Sequence, residues 1–346
     1  MDKRVELVGL SLEEMVAFVG ELGQPRYRAV QIMEWIYKKL KNTFGEMTNL
    51  PKDLRQELEA RARIMNLSVV EEKEDPSGAV KMLLRLEDGD CVEAVMLKQS
   101  YGTSVCVSSQ LGCRMGCAMC ASTIGGLKRN LTAGEMCGQV LVAERRAREI
   151  GRRVSHIVVM GIGEPLDNYE WVVKFLRVMN EPEGMNISFR RMTVSTCGHV
   201  PNILRLAREG IPVTLSVSLH AANDQLRDRL VPINRKYPLA HLIDACTAYF
   251  QETGRRVTFE YTLIKDVNDS ADDAFALARL LKGMPCHVNL IPLNPVPERP
   301  YQRPKPEQVM GFAQQLTRLG VNVTIRKEMG LGSQAACGQL RRSRTS

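Results

Sequence analysis

From Gly102 onward the chain alternates short apolar strands with amphipathic helices, and that alternation restricts it to an α/β architecture built on a parallel sheet. Strands are expected at residues 103–108, 154–160, 192–195, 213–219, 257–264 and 287–293. Helices are expected between them, at 171–179, 202–208, 239–252 and 272–281. The run Thr132-Ala-Gly-Glu135 forms a capping box that opens one more, extending to Ile150. Six βα units in series predict an α/β fold of partial (β/α)6 barrel type, with ligands gathered at the C-terminal ends of the strands. A last helix at 307–319 and a strand at 321–326 lead into a tail of small residues at 330–340.

The first ninety residues follow a different pattern. Helical apolar spacing covers 11–22, 26–41 and 52–63, with breaks at Gly23-Gln24-Pro25 and near Pro51. Two strands follow at 80–86 and 91–98, joined by a turn through Asp88-Gly89-Asp90. The expected division is an N-terminal helical accessory domain with linking strands, 1–90, and a catalytic domain, 91–346.

The feature with most chemical content is a loop after the first barrel strand, Gly-Cys-Arg-Met-Gly-Cys-Ala-Met-Cys-Ala at 112–121. Its Cys113, Cys117 and Cys120 supply three thiolates in C-x3-C-x2-C spacing. A cubane iron–sulfur cluster prefers one sulfur per iron, so three cysteines leave one iron open to another ligand. The alternative, a structural zinc site, wants four Cys or His ligands, and no second C-x2-C or H-x3-5-H completes the set.

Charge and cysteine usage bound the partners. A formal charge of +8 favours a polyanion. The basic runs Lys38-Lys39-Leu40-Lys41, Arg145-Arg146, Arg152-Arg153 and 341–344 could neutralise phosphates, although each alone is equally a solvated helix face. The ten cysteines are not spaced as a secreted disulfide framework. With no signal-type apolar segment and no bilayer-length run, a cytoplasmic chain with reduced thiols and no membrane partner is expected.

Several polar positions fall on the strand-end rim that carries the cysteine loop: Gly163 and Glu164, Ser195, Ser218-Leu219-His220, and Asn294. Glu164 can accept from an ammonium group, and the glycines admit a ligand close to the backbone. Cys106 on the strand before the loop, Glu93 in the strand at 91–98 and Cys337 in the tail remain ambiguous by residue type alone.

Nearly end to end, the chain resembles the RlmN family of radical S-adenosylmethionine (SAM) RNA adenine-C2 methyltransferases, and more distantly its relative Cfr. The resemblance rests on Gln24-Pro-Arg-Tyr-Arg-Ala29, Met47-Thr-Asn-Leu-Pro51, Ser109-Gln-Leu-Gly-Cys113 through Cys120, and Met160-Gly-Ile-Gly-Glu-Pro-Leu166. It continues through Thr193-Val-Ser-Thr-Cys-Gly198, Ser216-Val-Ser-Leu-His-Ala221, Arg229-Leu-Val-Pro-Ile-Asn234, Asn289-Leu-Ile-Pro-Leu-Asn294 and Ala335-Ala-Cys-Gly-Gln-Leu340.

The resemblance implies a radical-SAM barrel in which Cys113, Cys117 and Cys120 bind one 4Fe–4S cluster, while Gly163, Glu164, Ser195, Ser218, Leu219, His220 and Asn294 bind SAM. It implies that Cys337 carries a transient methyl group, with Cys106 and Glu93 as thiol and acid–base partners in product release through a disulfide. Two SAM molecules would be consumed per methylation. One methylates Cys337; the other gives the radical that activates that methyl group, because adenine C2 offers no nucleophile to a methyl cation donor. The implied substrate is an adenosine near the peptidyl transferase centre of 23S rRNA (conventional position 2503), with tRNA adenosine 37 as a second target. The implied electron donor is a flavodoxin or ferredoxin, and a monomer is expected. Cfr-type methylation at C8 of the same nucleotide is the nearest alternative; a non-catalytic zinc-bearing RNA-binding protein is the alternative from another class.

Overall fold

The computed structural model describes residues 4–65, 67–327, 329–330 and 336–340. The basic run at 341–344 and most of the tail before Ala336 therefore lie outside the described residues.

The N-terminal part holds β1 (Val5–Glu6), α1 (Leu12–Glu21), α2 (Arg26–Met33), α3 (Lys52–Arg61) and β2 (Ala62–Arg63), which pairs in parallel with β1. Ser11 starts α1 with a reciprocal capping box to Glu14, and the helix buries Leu12, Met15, Phe18 and Val19. The single helix expected over 26–41 is not one helix. After Met33 the chain widens into a π-helical turn, Glu34–Lys38, and ends at Leu40 with φ of 57°. The three consecutive residues Trp35, Ile36 and Tyr37 of this wider turn are all buried.

Ten of the remaining strands form one sheet, and two pair separately. β3 (Ser68–Glu74), β4 (Ala79–Arg85), β5 (Cys91–Gln99) and β6 (Gly102–Cys106) are antiparallel neighbours. A small hairpin, β7 (Gln110–Gly112) with β8 (Leu127–Asn130), brackets the cysteine loop and precedes α4 (Ala133–Glu149). The alternation then runs β9 (Val154–Val159), α5 (Tyr169–Asn180), β10 (Met192–Thr196), α6 (Val200–Ala207), β11 (Thr214–Ser218), α7 (Asp224–Leu230) and α8 (Leu239–Thr253). It closes with β12 (Val257–Leu263), α9 (Ala271–Leu280), β13 (Cys286–Pro292), α10 (Pro306–Arg318) and β14 (Val323–Ile325).

The ten strands lie in the order β14-β13-β12-β11-β10-β9-β6-β5-β4-β3. From β6 to β14 all neighbours are parallel, so the six expected barrel strands are present and adjacent. The edge strands β14 and β3 do not pair with each other, and the barrel is open. β3 escapes sequence reading because all seven of its residues are exposed, leaving no apolar alternation to detect.

Helix α4 is buried on most of its circumference because the sheet covers one side and the N-terminal part the other. Thr132 caps it with the expected box. The N-terminal part comes closest where Gly9, at φ of 92°, meets Gly134: a Cβ on Gly134 would stand 2.6 Å from the Val8 carbonyl oxygen. The buried Tyr37 hydroxyl accepts from the Gly9 N–H at 2.9 Å, and Arg148 reaches across to the Lys38 carbonyl at 2.8 Å. Gly134→Ala should therefore push the two parts apart and cost about 1–3 kcal/mol, read as a lowered denaturation midpoint.

Candidate active site

The strand ends of the parallel sheet surround a cavity of about 160 Å³. Cys113, Cys117 and Cys120 line it, together with Gly163, Glu164, Ser195, Ser218, His220, Asn294 and Cys337. Leu219, between two lining residues, is itself buried away from the cavity wall. Glu93 lies outside this cavity.

The loop after β9 must approach β7 closely. Gly163 has φ of 109°, and a Cβ there would come within 2.6 Å of the Gln110 Cβ. Gln110 Oε1 in turn accepts from the Glu164 N–H at 2.8 Å. The Glu164 carboxylate accepts from the Leu166 N–H (3.0 Å) and the Cys197 N–H (2.8 Å), fixing it across two strand ends. Burial pushes its pKa up, opposed by the bonds at Cys197. The Cys197 thiol and the Thr196 hydroxyl also reach this carboxylate, so an ammonium group on the cavity side would share its acceptor positions with them.

His220 ends the strand-end segment after β11 in a left-handed conformation, φ 59°. Its Nδ1 accepts from the Thr262 N–H at 3.0 Å, which puts the proton of the neutral ring on Nε2. Burial, reinforced by Arg227, pulls its pKa down to about 3. The ring is therefore a neutral hydrogen-bond donor toward a ligand. Asn268 holds the segment from behind, donating to the His220 and Thr262 carbonyls, each at 2.8 Å.

Beneath the rim lies Arg227 of α7, fully buried. Its Nε donates to the Leu219 carbonyl (3.1 Å), its Nη2 to those of Cys197 (2.7 Å) and Ser218 (3.1 Å), and its Nη1 to Asn234 Oδ1 (2.9 Å). One guanidinium thus ties the ends of β10 and β11 together. Residue type alone gives no hint of this, since arginine is the residue least expected to be wholly buried.

Beside the three loop cysteines lies Cys197, which also lines the cavity. Its thiol hydrogen-bonds Cys117, and this bond lowers the Cys117 pKa against the effect of burial. Cys197 is a site residue that sequence reasoning passed over; its signal was its place on the same rim, two residues after Ser195. Among the described residues no three or more His, Cys, Asp or Glu side chains are gathered around one metal ion position. A cubane cluster asks instead for one thiolate per separate iron. The donor set of the loop, three thiols on one cavity wall, fits that group.

A second recess of about 60 Å³ adjoins the cavity and shares Met160, Asn294, Arg326 and Cys337 with it. Cys106 lines this recess with Val95 and Leu97 of β5. Burial, then Cys337 nearby, pushes the Cys106 thiol up to about 12, so it rests protonated at neutral pH. Arg326 holds the opposite sign there and stands 3.7 Å from the buried Glu260 carboxylate. Glu93 is on the face of β5 that carries Val95 and Leu97, nearly buried, and pairs with Lys81 at 3.1 Å. No disulfide joins Cys106 and Cys337.

The basic runs are largely engaged within the chain. Arg145 bonds the Leu40 carbonyl and Asn42, Arg146 pairs with Glu72, Glu74 and Glu149, and Arg153 pairs with Glu144. Lys39 sits 3.5 Å over the Trp35 ring. Of these, Arg145 joins α4 to the N-terminal part, and Arg146 joins α4 to β3. Among the described residues no helix is long and apolar enough to cross a membrane.

Comparisons with known proteins agree with this geometry. Residues 5–64 match the ribosomal RNA large subunit methyltransferase N-terminal domain, and residues 107–278 match the radical SAM superfamily. A probable dual-specificity RNA methyltransferase RlmN of Symbiobacterium thermophilum is 52% identical over 340 residues, covering 98% of this chain and 91% of its own length. The protein of the same description from Halalkalibacterium halodurans is 50% identical, covering 96% and 92%. The crystal structure of a radical SAM methyltransferase from Sphaerobacter thermophilus superposes with a TM-score of 0.95 at 51% identity, covering 97% of this chain and 99% of its own.

Arg227→Lys should leave at least two of the four acceptors unpaired and cost about 2–4 kcal/mol, measured by urea unfolding. For His220, the folded pKa lies below the unfolded value near 6.5. Its contribution to stability is thus full above pH ~6.5 and declines by about 1.4 kcal/mol per unit below it, down toward pH ~3. His220→Asn, whose side chain tolerates the left-handed backbone, should flatten the stability profile between pH 4.5 and 6.5 by about that slope.

Proposed function

This chain belongs to the RlmN family of radical SAM methyltransferases, and from that membership we propose that it methylates C2 of a specific adenosine in 23S rRNA, and of an adenosine beside the anticodon of some tRNAs. The observation that carries the reading is that one cavity gathers the three loop cysteines with Cys337, while Cys106 lines the recess on the other side of Cys337.

Cys113, Cys117 and Cys120 would hold the 4Fe–4S cluster, which when bound supplies the electron that divides SAM into methionine and a 5′-deoxyadenosyl radical. Glu164 would accept from the SAM amino group, the neutral His220 would donate from Nε2, and the backbone at Gly163 would admit the ligand closely. Ser195, Ser218, Leu219 and Asn294 complete the proposed SAM contacts, Leu219 through its backbone.

The Cys337 sulfur would take a methyl group from one SAM by displacement. Hydrogen abstraction from that methyl group leaves a methylene radical on the Cys337 sulfur, which adds to C2 and joins protein to RNA. Release would then need three events: removal of the C2 proton, return of the adduct's unpaired electron to the oxidised cluster, and attack by the Cys106 sulfur on that of Cys337, forming a disulfide as the carbon–sulfur bond to RNA breaks and the freed methylene carbon takes up the Cys106 proton to become the methyl group. We assign proton removal to Glu93, because the buried Cys106 thiol holds its own proton at neutral pH. Arg326, beside both sulfurs, would favour the Cys106 thiolate once RNA is attached.

We further propose a cytoplasmic, reduced setting, two SAM consumed per product, a monomeric enzyme and a flavodoxin or ferredoxin donor. An adenine reached at C2 must be unstacked, so a loop or bulge nucleotide is the substrate form. Nucleoside mass spectrometry of rRNA and tRNA from a deletion strain should show loss of 2-methyladenosine; loss of 8-methyladenosine instead would establish the Cfr-type reaction. Cys106→Ala should trap an RNA-crosslinked protein, whereas Cys337→Ala should abolish methylation with no crosslink, both visible on denaturing gels. Normal turnover by Cys106→Ala would overturn its role.

A further inference from the structure

The segment carrying Cys337 is fastened to the cysteine loop on one side and to the chain after β13 on the other, where Gln339 Nε2 donates to the Pro295 carbonyl at 3.0 Å. The N–H of Ala121, the residue after Cys120, donates to the Gly338 carbonyl at 2.8 Å. The Ser122 hydroxyl donates to the Leu340 carbonyl at 2.7 Å, and both residues are buried. On the opposite side Asn294 Nδ2 donates to the Cys337 carbonyl at 3.0 Å. Gly338, at φ of 83°, lets the segment double back, and the Gln339 N–H closes the turn on the Ala336 carbonyl at 3.0 Å. The turn is thus clasped between the last cysteine of the loop and the end of β13.

We propose that Ser122 is a positioning residue that locks the Cys337 turn to the cysteine loop, so that the loop arrangement which presents three thiols also sets the place of the fourth sulfur. Ser122 holds the Leu340 carbonyl from a position two residues after Cys120, beside the Ala121 N–H that holds Gly338. An alanine there breaks the link without removing a thiol. Threonine keeps the hydroxyl and restores it. The inference rests on the proposed methyl-carrier role of Cys337 for its effect on turnover, but not for its effect on the turn.

The test uses full-length, iron-loaded protein prepared without oxygen, as wild type, S122A and S122T. Amide hydrogen exchange is read in the peptides carrying Ala121 and Gln339, whose N–H groups close the contact. Losing one buried hydrogen bond should speed exchange of both about 5- to 10-fold in S122A, with S122T near wild type and iron content unchanged in all three. The second readout is 5′-deoxyadenosine formed per methylated adenosine. It should rise several-fold in S122A, because hydrogen abstraction misses a displaced methyl group. Unchanged exchange in S122A overturns the lock, as does iron loss in S122A that S122T prevents, which would make Ser122 a support of the cysteine loop alone. Faster exchange with an unchanged product ratio keeps the lock and counts instead against Cys337 as the carrier.

Discussion

The strand-end rim depends on one buried charge. Arg227 has no solvent to screen it, and taking a guanidinium out of water costs several kcal/mol unless its donors are met. Here they meet three backbone carbonyls and one amide oxygen, drawn from the loops after β10 and β11 and from Asn234. Asn234 is itself fixed by the carboxylates of Asp224 and Asp228, at 2.9 and 2.7 Å. The positive charge therefore sits on a chain of dipoles ending in two acids of its own helix. Parallel strands supply no such tie by themselves, because each crossover leaves the strand ends as independent loops. With the guanidinium in place, Ser218, Leu219, His220 and Cys197 become one surface.

Glu164 and Asn268 are likewise polar side chains that hold backbone, and Glu164 also lines the cavity. Glu164 uses both carboxylate oxygens on neighbouring N–H groups. Asn268 accepts from the Ile264 N–H and donates to the Thr262 and His220 carbonyls, joining the ends of β12 and β11. The cavity is consequently shaped before any ligand arrives, which is how a site limits the reorganisation that a reactive step would otherwise require.

Much of this was legible from the order of residues alone, and the limits follow from physics. Strands buried on both faces announce themselves as apolar runs, so β6 and β9 to β13 were readable within a residue or two. β3 was not, since an exposed edge has no apolar face. The π-turn after Met33 was hidden because a pattern reader assumes one helical period. At the site, residues whose chemistry is unusual for their position, three cysteines and a glutamate among glycines, could be found by type. Arg227, Asn268 and Cys197 could not, because their roles are defined by what folds around them. The basic runs are legible as charge but not as contacts: Arg145, Arg146 and Arg153 each meet an acceptor on their own chain, Arg153 while staying mostly exposed.

The exposed strand β3 carries Glu71, Glu72, Lys73 and Glu74 in succession, and a register shift breaks its pairing with β4 between Val69 and Glu71. An unpaired strand edge is a template on which another copy can add itself. Here any incoming strand would meet dense charge and an irregular backbone. The opening that keeps the barrel accessible thus carries its own safeguard against polymerisation, and neutralising this acidic border would be expected to show first in the solubility of concentrated protein, before any change in the cavity.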